Sequence, residues 1–187
     1  MRPDIGLPRT ALVGRDIVVR PNCAEFAQYL GAAADESMAT VGRWMTWCHP
    51  AIAEMEALEW YRSCERNWEN GTEYEFSVFT QSGEFLGAVG LNQFNRANNF
   101  ANLGYWIRES RQAQGYATQA ARLLADFGLD ALNLTRVEIV VAEANFPSRR
   151  VAEKVGGHFE GILRDRLLIH GHFHNAAMYS VTRRVGP

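Results

Sequence analysis

Residues 112–117, Gln-Ala-Gln-Gly-Tyr-Ala, could hold an anionic group. The alternating apolar pattern of residues 103–107, followed by charged and polar residues, predicts a strand that enters a turn. Apolar residues then recur at helical spacing, at Ala120, Leu124, Phe127 and Ala131, and Asn133 is available to end the helix. The first four N–H groups of a helix have no acceptor inside it, and the helix dipole adds roughly half a positive charge there. The pattern therefore predicts a loop with Gly115 in the first helical turn, whose backbone N–H groups bind a phosphate.

The loop pattern alone has low specificity. A match to Gln/Arg-x-x-Gly-x-Gly/Ala arises by chance in one of every several chains of this size, and an ordinary loop glycine is the alternative. The sequence has neither the G-x-x-x-x-G-K-[ST] loop for a nucleoside triphosphate nor the G-x-G-x-x-G loop for a dinucleotide. Its place between a predicted strand and a predicted helix favours the anion site.

Composition indicates an ordinary globular protein. The 187 residues, 47% of them hydrophobic, predict one compact domain spanning residues 1–187. A formal net charge of -2 gives no overall attraction to nucleic acid or to an anionic membrane. No apolar run approaches the roughly 20 residues of a membrane helix and no signal-peptide core is recognisable, so a cytoplasmic protein is expected. Cys23, Cys48 and Cys64 lack zinc or CxxC spacing and are expected to be reduced thiols.

The N-terminal third predicts one strand and then helices. Residues 17–21 form the strand, and Asn22 is expected to cap a helix that follows it. Residues 38–48 form a helix or a turn that carries Trp44 and Trp47, which either pack in the core or form a wall of an acceptor pocket. A longer amphipathic helix runs from Pro50 to Gly71.

The rest of the chain predicts a mixed, largely antiparallel sheet in an α/β fold. A meander is expected over residues 74–80, 85–94 and 101–107. Residues 137–142, apolar on both faces, form a buried strand that a helix connects to 101–107, so these two strands are expected to be parallel. A helix over 147–155 and a hairpin of 159–168 with 173–183 complete the chain.

The order of several short motifs resembles the GNAT acetyltransferases, and within them the RimJ/RimL-type ribosomal-protein N-terminal acetyltransferases. The motifs are Leu103-Gly104-Tyr105-Trp106-Ile107, Gln112-x-x-Gly115-x-Ala117, Asn145-x-x-Ser148 and Glu153-Lys154-x-Gly156, then Glu160-Gly161-x-x-Arg164, Gly171-x-Phe173 and Met178-Tyr179-Ser180. The paired tryptophans extend the likeness to the N-terminal region. The resemblance covers most of the chain and is specific through the order and spacing of its parts.

The resemblance implies a GNAT fold with a splayed parallel strand pair at its centre and acetyl-CoA as the cosubstrate, with no metal. The pyrophosphate would rest on the N–H groups of the loop, and the pantetheine would lie against the strand edge near Trp106 and Ile107 like an added strand. The residues so expected to bind acetyl-CoA are Trp106, Ile107, Gln112, Ala113, Gln114, Gly115, Tyr116, Ala117, Thr118 and Asn145.

Acetyl transfer requires the amine to lose a proton and the CoA thiolate, with a thiol pKa near 8.5, to be stabilised as it leaves. By the resemblance, Ser148 would donate a hydrogen bond to the sulfur and Asn145 would bind pantetheine. The alternative is that Asn145, followed by Pro147, is an ordinary helix N-cap. The tyrosine that much of the superfamily uses as the acid is replaced by Ala152, so a tyrosine acid would have to be Tyr105 or Tyr179.

The base that deprotonates the amine is open. Many relatives have a glutamate just before the apolar-Gly-Tyr segment, whereas this chain has Asn102. Glu143, Glu160 and the hairpin histidines are alternatives, acting through water. His170, His172 and His174 share strand parity but straddle Gly171 without nearby Asp or Cys, so no metal site is predicted.

The leading hypothesis is an N-acetyltransferase in which a primary amine attacks acetyl-CoA directly in a ternary complex. The expected acceptor is a protein N-terminal α-amino group of the ribosomal-protein type. A small-molecule amine is the alternative acceptor. Asn102 and Ala152 motivate a different alternative, a non-catalytic acyl-CoA-binding module, and a nucleotide-binding domain is a third. The oligomeric state, including a homodimer, is left open.

Overall fold

The fold is built on one eight-stranded sheet. The computed structural model describes residues 9–50 and 52–183. The strands are β1 (Leu12–Val13), β2 (Ile17–Pro21), β3 (Tyr74–Thr80), β4 (Phe85–Asn95), β5 (Phe100–Ile107), β6 (Arg136–Ala142), β7 (His158–Ile169) and β8 (His172–Thr182). Their order across the sheet is β1-β2-β3-β4-β5-β6-β8-β7, and β5 with β6 is the parallel pair among antiparallel neighbours. The predicted fold class is confirmed.

Four α-helices pack on the sheet. They are α1 (Leu30–Glu36), α2 (Glu54–Glu69), α3 (Tyr116–Asp126) and α4 (Phe146–Val155). A 3-10 segment, Ala24–Tyr29, precedes α1, and a π-helical segment, Phe127–Ala131, continues α3. No helix in the described ranges is long and apolar enough to cross a membrane.

The two faces of the sheet bury different clusters, because side chains alternate along each strand. Leu103 and Ile107 of β5 belong to the larger cluster, which includes α3 and α4. Trp106 belongs to the smaller cluster, which includes α1 and α2. These faces are called the α3 face and the α2 face below. The strand β5 therefore contributes to both sides of the sheet.

The N-terminal predictions hold in part. β2 has the predicted bounds, whereas β1, two residues long, had no prediction. The expected capping role of Asn22 is wrong: the 3-10 segment has Cys23 at its N-cap, and Asn22 is buried. The Asn22 Oδ1 accepts a hydrogen bond from Ser77 Oγ at 2.7 Å, and its Nδ2 donates to Cys64 Sγ at 3.5 Å. A buried amide needs partners, and those of Asn22 are across the fold rather than in the next turn.

Two further boundaries differ from the sequence prediction. The segment 38–48, predicted as helix or turn, consists of turns, one of them closed by the Val41 N–H donating to Ser37 O at 2.7 Å. α2 begins at Glu54, four residues after Pro50, with Ala53 at its N-cap. Trp47 of the turn segment packs on Trp106, near the C-terminal end of β5.

Candidate functional site

A cleft opens where β5 and β6 separate. The two strands pair only at Phe100–Arg136, Ala101–Val137 and Asn102–Glu138. Beyond that point β6 stays paired with β8 along its whole length, and β5 stays paired with β4. A space of about 690 Å³ lies at the divergence, bounded by the end of β5, the start of α3 and the start of α4. We call this space the basic cleft.

The loop before α3 presents a helix N-terminus to the basic cleft. Gly115 is the N-cap with φ +85°, a left-handed conformation that glycine adopts without steric cost, and no side chain caps the helix. The following N–H groups are among those with no acceptor inside the helix. Six of the predicted loop residues line the basic cleft: Gln112, Ala113, Gly115, Tyr116, Ala117 and Thr118.

The two loop glutamines play different parts. The Gln112 Nε2 donates to Ile107 O at 2.9 Å and to Thr40 Oγ1 at 3.2 Å, so this side chain fixes the loop against the end of β5. The Gln114 Nε2 donates to Ser110 O at 3.4 Å, and Gln114 is not among the described residues that line the cleft. The structure therefore brings Gln112 to the cleft as a support for the loop and leaves Gln114 outside.

The charged side chains that line the basic cleft in the described part of the chain are all positive. Arg43, Arg111, Arg150 and Lys154 contribute to its wall, and no Asp or Glu does so within residues 9–50 and 52–183. Arg111 is paired with Glu84, Nε to Oε1 at 2.8 Å. A polyanionic ligand suits this wall, because its phosphates would meet cations and a helix N-terminus together.

Ser148 and Asn145 lie where α4 begins, across the basic cleft from β5. The Asn145 Oδ1 accepts from the Ser148 N–H at 3.3 Å, so Asn145 is the N-cap of α4. The Tyr105 hydroxyl lies 2.9 Å from Ser148 Oγ and 2.9 Å from Ser148 O. Tyr105 has one hydroxyl hydrogen, so it donates to one of these atoms at a time. The N-cap interpretation of Asn145 is therefore confirmed, and the same residue lines the cleft.

Tyr105 bridges the two sides of the cleft as a protonated phenol. Burial raises the pKa of Tyr105 to about 12, although its hydrogen bond with Ser148 lowers it. Tyr179 is buried and its hydroxyl accepts from Arg149 Nε at 3.2 Å. Ala152 is fully buried in α4. Of the two candidate tyrosines, Tyr105 is therefore the one in contact with Ser148.

A second space, of about 360 Å³, lies on the α2 face of the sheet. Trp47 and Trp60 form part of its wall, together with Glu56, Glu73 and Glu75. We call it the acidic cavity, because no Lys, Arg or His is among its described lining residues. It shares Met45, Tyr105 and Trp106 with the basic cleft, so these residues line both spaces.

The paired tryptophans divide between the two spaces. Trp44 lines the basic cleft, where Arg43 lies 4.9 Å from its ring centroid. Trp47 lines the acidic cavity, packs on Trp106 with 5.1 Å between ring centroids, and is 37% exposed. Trp47 thus contributes both packing and a cavity wall, which the sequence analysis had presented as alternatives.

Glu75 is a site residue that the sequence analysis missed. It is paired with Gly90 of β4, which is paired with Gly104 of β5. A Cβ at Gly90 would lie 1.9 Å from Glu75 Oε2, so the carboxylate lies over Gly90 in the space that glycine leaves. A Cβ at Gly104 would meet nothing within 4 Å, because the acidic cavity begins there. The carboxylate thus points across β4 towards β5.

An amide chain connects Glu75 to the position where a glutamate was expected. Asn102 Nδ2 donates to Asn92 Oδ1 at 3.0 Å, and Asn92 Nδ2 donates to Glu75 Oε1 at 3.4 Å. Burial, and then the negative charge of Glu73, raise the pKa of Glu75 to about 7, although the Asn92 hydrogen bond lowers it. Glu75 therefore exchanges its proton near neutral pH, where Asn102 cannot.

The two other glutamates considered as bases, Glu160 and Glu143, are engaged in hydrogen bonds away from the cleft. Glu160 accepts from Arg136 at 2.5 Å and from Ser180 Oγ at 2.6 Å, and these hydrogen bonds lower its pKa to about 2. Glu143 accepts from Asn175 Nδ2 at 2.9 Å.

His170 links the hairpin to the turn segment, with its Nε2 2.7 Å from Gly42 O. Throughout the described chain, no group of three or more His, Cys, Asp and Glu side chains is arranged to hold a metal.

Known proteins share this architecture. The family described as "Acetyltransferase (GNAT) domain" matches residues 17–158. The chain is 27% identical over 176 residues to YdaF of Bacillus subtilis (strain 168), provisionally named a ribosomal N-acetyltransferase, covering 94% of this chain and 96% of YdaF. It is 28% identical over 142 residues to spermidine N(1)-acetyltransferase of Escherichia coli (strain K12), covering 76% and 73% of the two chains. The structure of Mycobacterium smegmatis RimJ in complex with CoA-disulfide superimposes with a TM-score of 0.86 at 25% identity, covering 95% and 89%.

Proposed function

We propose that this chain, which belongs to the GNAT acetyltransferase family and transfers acetyl groups from acetyl-CoA to amines, acetylates the terminal α-amino group of a protein. The ribosomal-protein type of acceptor is supported by the likeness to YdaF and to RimJ. The proposed compartment is the cytoplasm, where such acceptors are made.

The basic cleft is the proposed acetyl-CoA site. The N–H groups at the start of α3 and the loop residues Ala113 to Thr118 would bind the pyrophosphate. The cations Arg43, Arg150 and Lys154 would neutralise the remaining phosphate charge. The main chain of Trp106 and Ile107, on the edge of β5 that β6 has left, would pair with the amides of pantetheine as an added strand would. The Asn145 Oδ1 is used by the helix cap, so its Nδ2 is the group proposed to donate to pantetheine.

Ser148 is the proposed partner of the leaving sulfur. Its hydroxyl lies at the cleft and exchanges a hydrogen bond with Tyr105, which has a pKa of about 12 and stays protonated at neutral pH. A Tyr105 hydroxyl that donates to Ser148 Oγ leaves the serine hydrogen free to donate to sulfur as negative charge develops there. The tyrosine thus acts through the serine, in place of the superfamily tyrosine whose position is Ala152.

Direct attack by the amine is proposed because the thiols are poorly placed for an acyl-enzyme. Burial raises the pKa of Cys64 to about 12 and raises the pKa of Cys48 as well. No cysteine is among the described residues that line the basic cleft. A thiolate nucleophile would need both a low pKa and contact with the thioester.

The observation that carries the proposal is the Tyr105–Ser148 contact across the separated strands, beside a helix N-terminus and a cationic wall. Its test is Ser148→Ala, assayed by thiol release from acetyl-CoA. We expect kcat to fall about 100-fold with the dissociation constant of CoA unchanged. Tyr105→Phe keeps the ring and should lower kcat by about tenfold. A Ser148→Ala enzyme with normal turnover would remove Ser148 from the mechanism.

A small amine is the second candidate acceptor, and it too suits the acidic cavity. Aromatic faces and carboxylates bind organic cations of many kinds, whether peptide termini or alkylamines. The likeness to spermidine N(1)-acetyltransferase points the same way. Assays with N-terminal peptides and alkylamines side by side would separate the two acceptors.

A further inference from the structure

We propose that the acidic cavity binds the cationic amine of the acceptor and that the Glu75 carboxylate removes its proton before acetyl transfer. The inference rests on the acetyltransferase function proposed above and adds to it the base and the acceptor site. It follows from where the carboxylate lies, what surrounds it, and how the cavity meets the basic cleft.

Position is the first argument. Because Gly90 and Gly104 have no side chains, none from these two positions lies between Glu75 and the middle of β5. The next two residues of β5, Tyr105 and Trp106, line both the acidic cavity and the basic cleft. An amine held over Gly104 would therefore have Glu75 on one side and the Tyr105–Ser148 pair on the other.

Charge is the second argument. The cavity wall contains Glu56, Glu73 and Glu75, without a positive side chain among its described residues. Glu56 is paired with His49 at 3.2 Å, whereas Glu73 and Glu75 accept from the neutral amides of Asn67 and Asn92, at 2.7 Å and 3.4 Å. A cation entering the cavity would meet uncompensated negative charge there.

The surroundings of Glu75 define its titration. The titratable groups facing it are Glu73, which directly precedes β3, Glu56, Tyr61 and Cys64 from α2, and Tyr105 from β5. A neighbouring carboxylate and burial both keep the proton on Glu75 more tightly than in water. Glu75 is thereby a stronger base than an exposed glutamate and still ionises near neutral pH.

Proton removal by Glu75 precedes attack of the amine on the thioester. An ammonium N–H bond breaks and its proton moves to a Glu75 oxygen, which leaves a neutral amine. The amine nitrogen then bonds to the thioester carbon, the carbon–sulfur bond breaks with its electron pair on sulfur, and the second nitrogen proton is passed to the CoA thiolate through Ser148. Glu75 returns its proton to solvent before the next cycle. The sum is ammonium plus acetyl-CoA giving amide, CoA thiol and one proton.

The test compares wild type with Glu75→Gln in pH profiles of kcat/KM, using a peptide α-amine and n-hexylamine as two acceptors. These amines have ordinary pKa values of roughly 8 and 10. If the rising limb of the pH profile were due to ionisation of the free amine, its midpoint would therefore differ by about two pH units between the two acceptors. A limb due to Glu75 stays near pH 7 for both acceptors. Glu75→Gln should lose that limb and lower kcat/KM about 100-fold at pH 7.5.

Controls separate chemistry from folding. CoA affinity should be unchanged in Glu75→Gln, and Glu69→Gln, at the exposed end of α2, should behave as wild type. Should Glu75→Gln fail to fold, Gly104→Ala replaces it, because the added methyl meets no atom within 4 Å and enters the cavity. It should raise KM for the amine at least fivefold without changing CoA affinity. Wild-type kcat/KM and pH profile in Glu75→Gln, or an unchanged amine KM in Gly104→Ala, would overturn the inference.

Failure of the acetyltransferase proposal is distinguishable from failure of this one. If no amine releases thiol, binding of n-hexylammonium is measured at pH 8 by the fluorescence of the cavity tryptophans Trp47 and Trp60. Saturable quenching in wild type that weakens at least fivefold in Glu75→Gln supports the amine site. Equal quenching in both proteins, or none in wild type, refutes it.

Discussion

The salt bridge between Glu36 and Arg108 should stabilise the fold in a pH-dependent manner. Arg108 donates to Glu36 through Nε at 2.8 Å and Nη2 at 2.5 Å, and Ser110 Oγ donates to the same carboxylate at 2.8 Å. The hydrogen bonds from Arg108, followed by those from Ser110, lower the pKa of Glu36 to about 2. The pair joins the end of α1 to the segment that leads into the loop before α3.

The magnitude follows from the difference in pKa. The fall in the pKa of Glu36 from 4.5 to about 2 corresponds to about 3.4 kcal/mol of folding free energy. The Glu36 and Arg108 side chains are 29% and 23% exposed, so solvent screening reduces this to about 1–2 kcal/mol. Because the pKa is lowered on folding, the contribution is present above pH 4.5 and is lost as the pH falls towards 2.

Urea denaturation of Glu36→Gln at pH 7 and pH 3 measures this contribution. We expect the variant to be less stable by about 1–2 kcal/mol at pH 7 and by less than half of that at pH 3. Glu84→Gln is the control, since its pair with Arg111 is 37% and 41% exposed and should contribute less than about 1 kcal/mol. A loss equal to that of the control, or one independent of pH, would refute the reasoning.

Two further perturbations test the packing and charge of the site. The free energy of unfolding of Glu75→Gln, relative to that of wild type, should rise by up to about 3 kcal/mol between pH 4.5 and pH 7, because a carboxyl pKa raised to about 7 means that ionisation destabilises the folded protein. Urea denaturation of both proteins at pH 5 and pH 8 measures this difference, and a difference that does not change with pH would contradict it. Gly157→Ala should lose about 1–3 kcal/mol, because its Cβ would lie 2.8 Å from Ala152 O and 3.2 Å from Tyr179 Cβ. Gly31→Ala in α1 is the matched control, because its added Cβ would lie no closer than 3.7 Å to another atom, and its free energy of unfolding should rise by about 0.5–1 kcal/mol. Equal changes in the two alanine variants would exclude steric crowding as the cause of the loss at Gly157.

Local patterns were enough to predict most of the sheet. Residues 74–80 have the predicted bounds of β3, and the parallel pairing of β5 with β6 followed from the helix between them. The position of the loop before α3 was predictable because a strand, a glycine and an amphipathic helix are adjacent in the chain. Glu153-Lys154-x-Gly156 likewise ends α4 with Gly156 in the left-handed conformation.

Features that depend on distant residues were not predictable in the same way. Asn22 has the residue type of a cap, yet its partners are Ser77 and Cys64, far away in sequence. Glu75 occupies an alternating strand position that normally faces solvent. Its role depends on Gly90 and Gly104, two glycines on neighbouring strands whose register places them beside it. A single carboxylate in a strand whose other residues are uncharged, opposite glycines, was the available signal.

The most direct test of the account is thiol release from acetyl-CoA, followed in time with and without an amine. Direct attack in a ternary complex predicts no release, not even one equivalent per enzyme, until an amine is added, and then one acetylated amine for each thiol. Double-reciprocal plots at several amine concentrations should intersect. A burst of thiol without amine would indicate an acyl-enzyme, and no release with any amine would contradict the proposed chemistry.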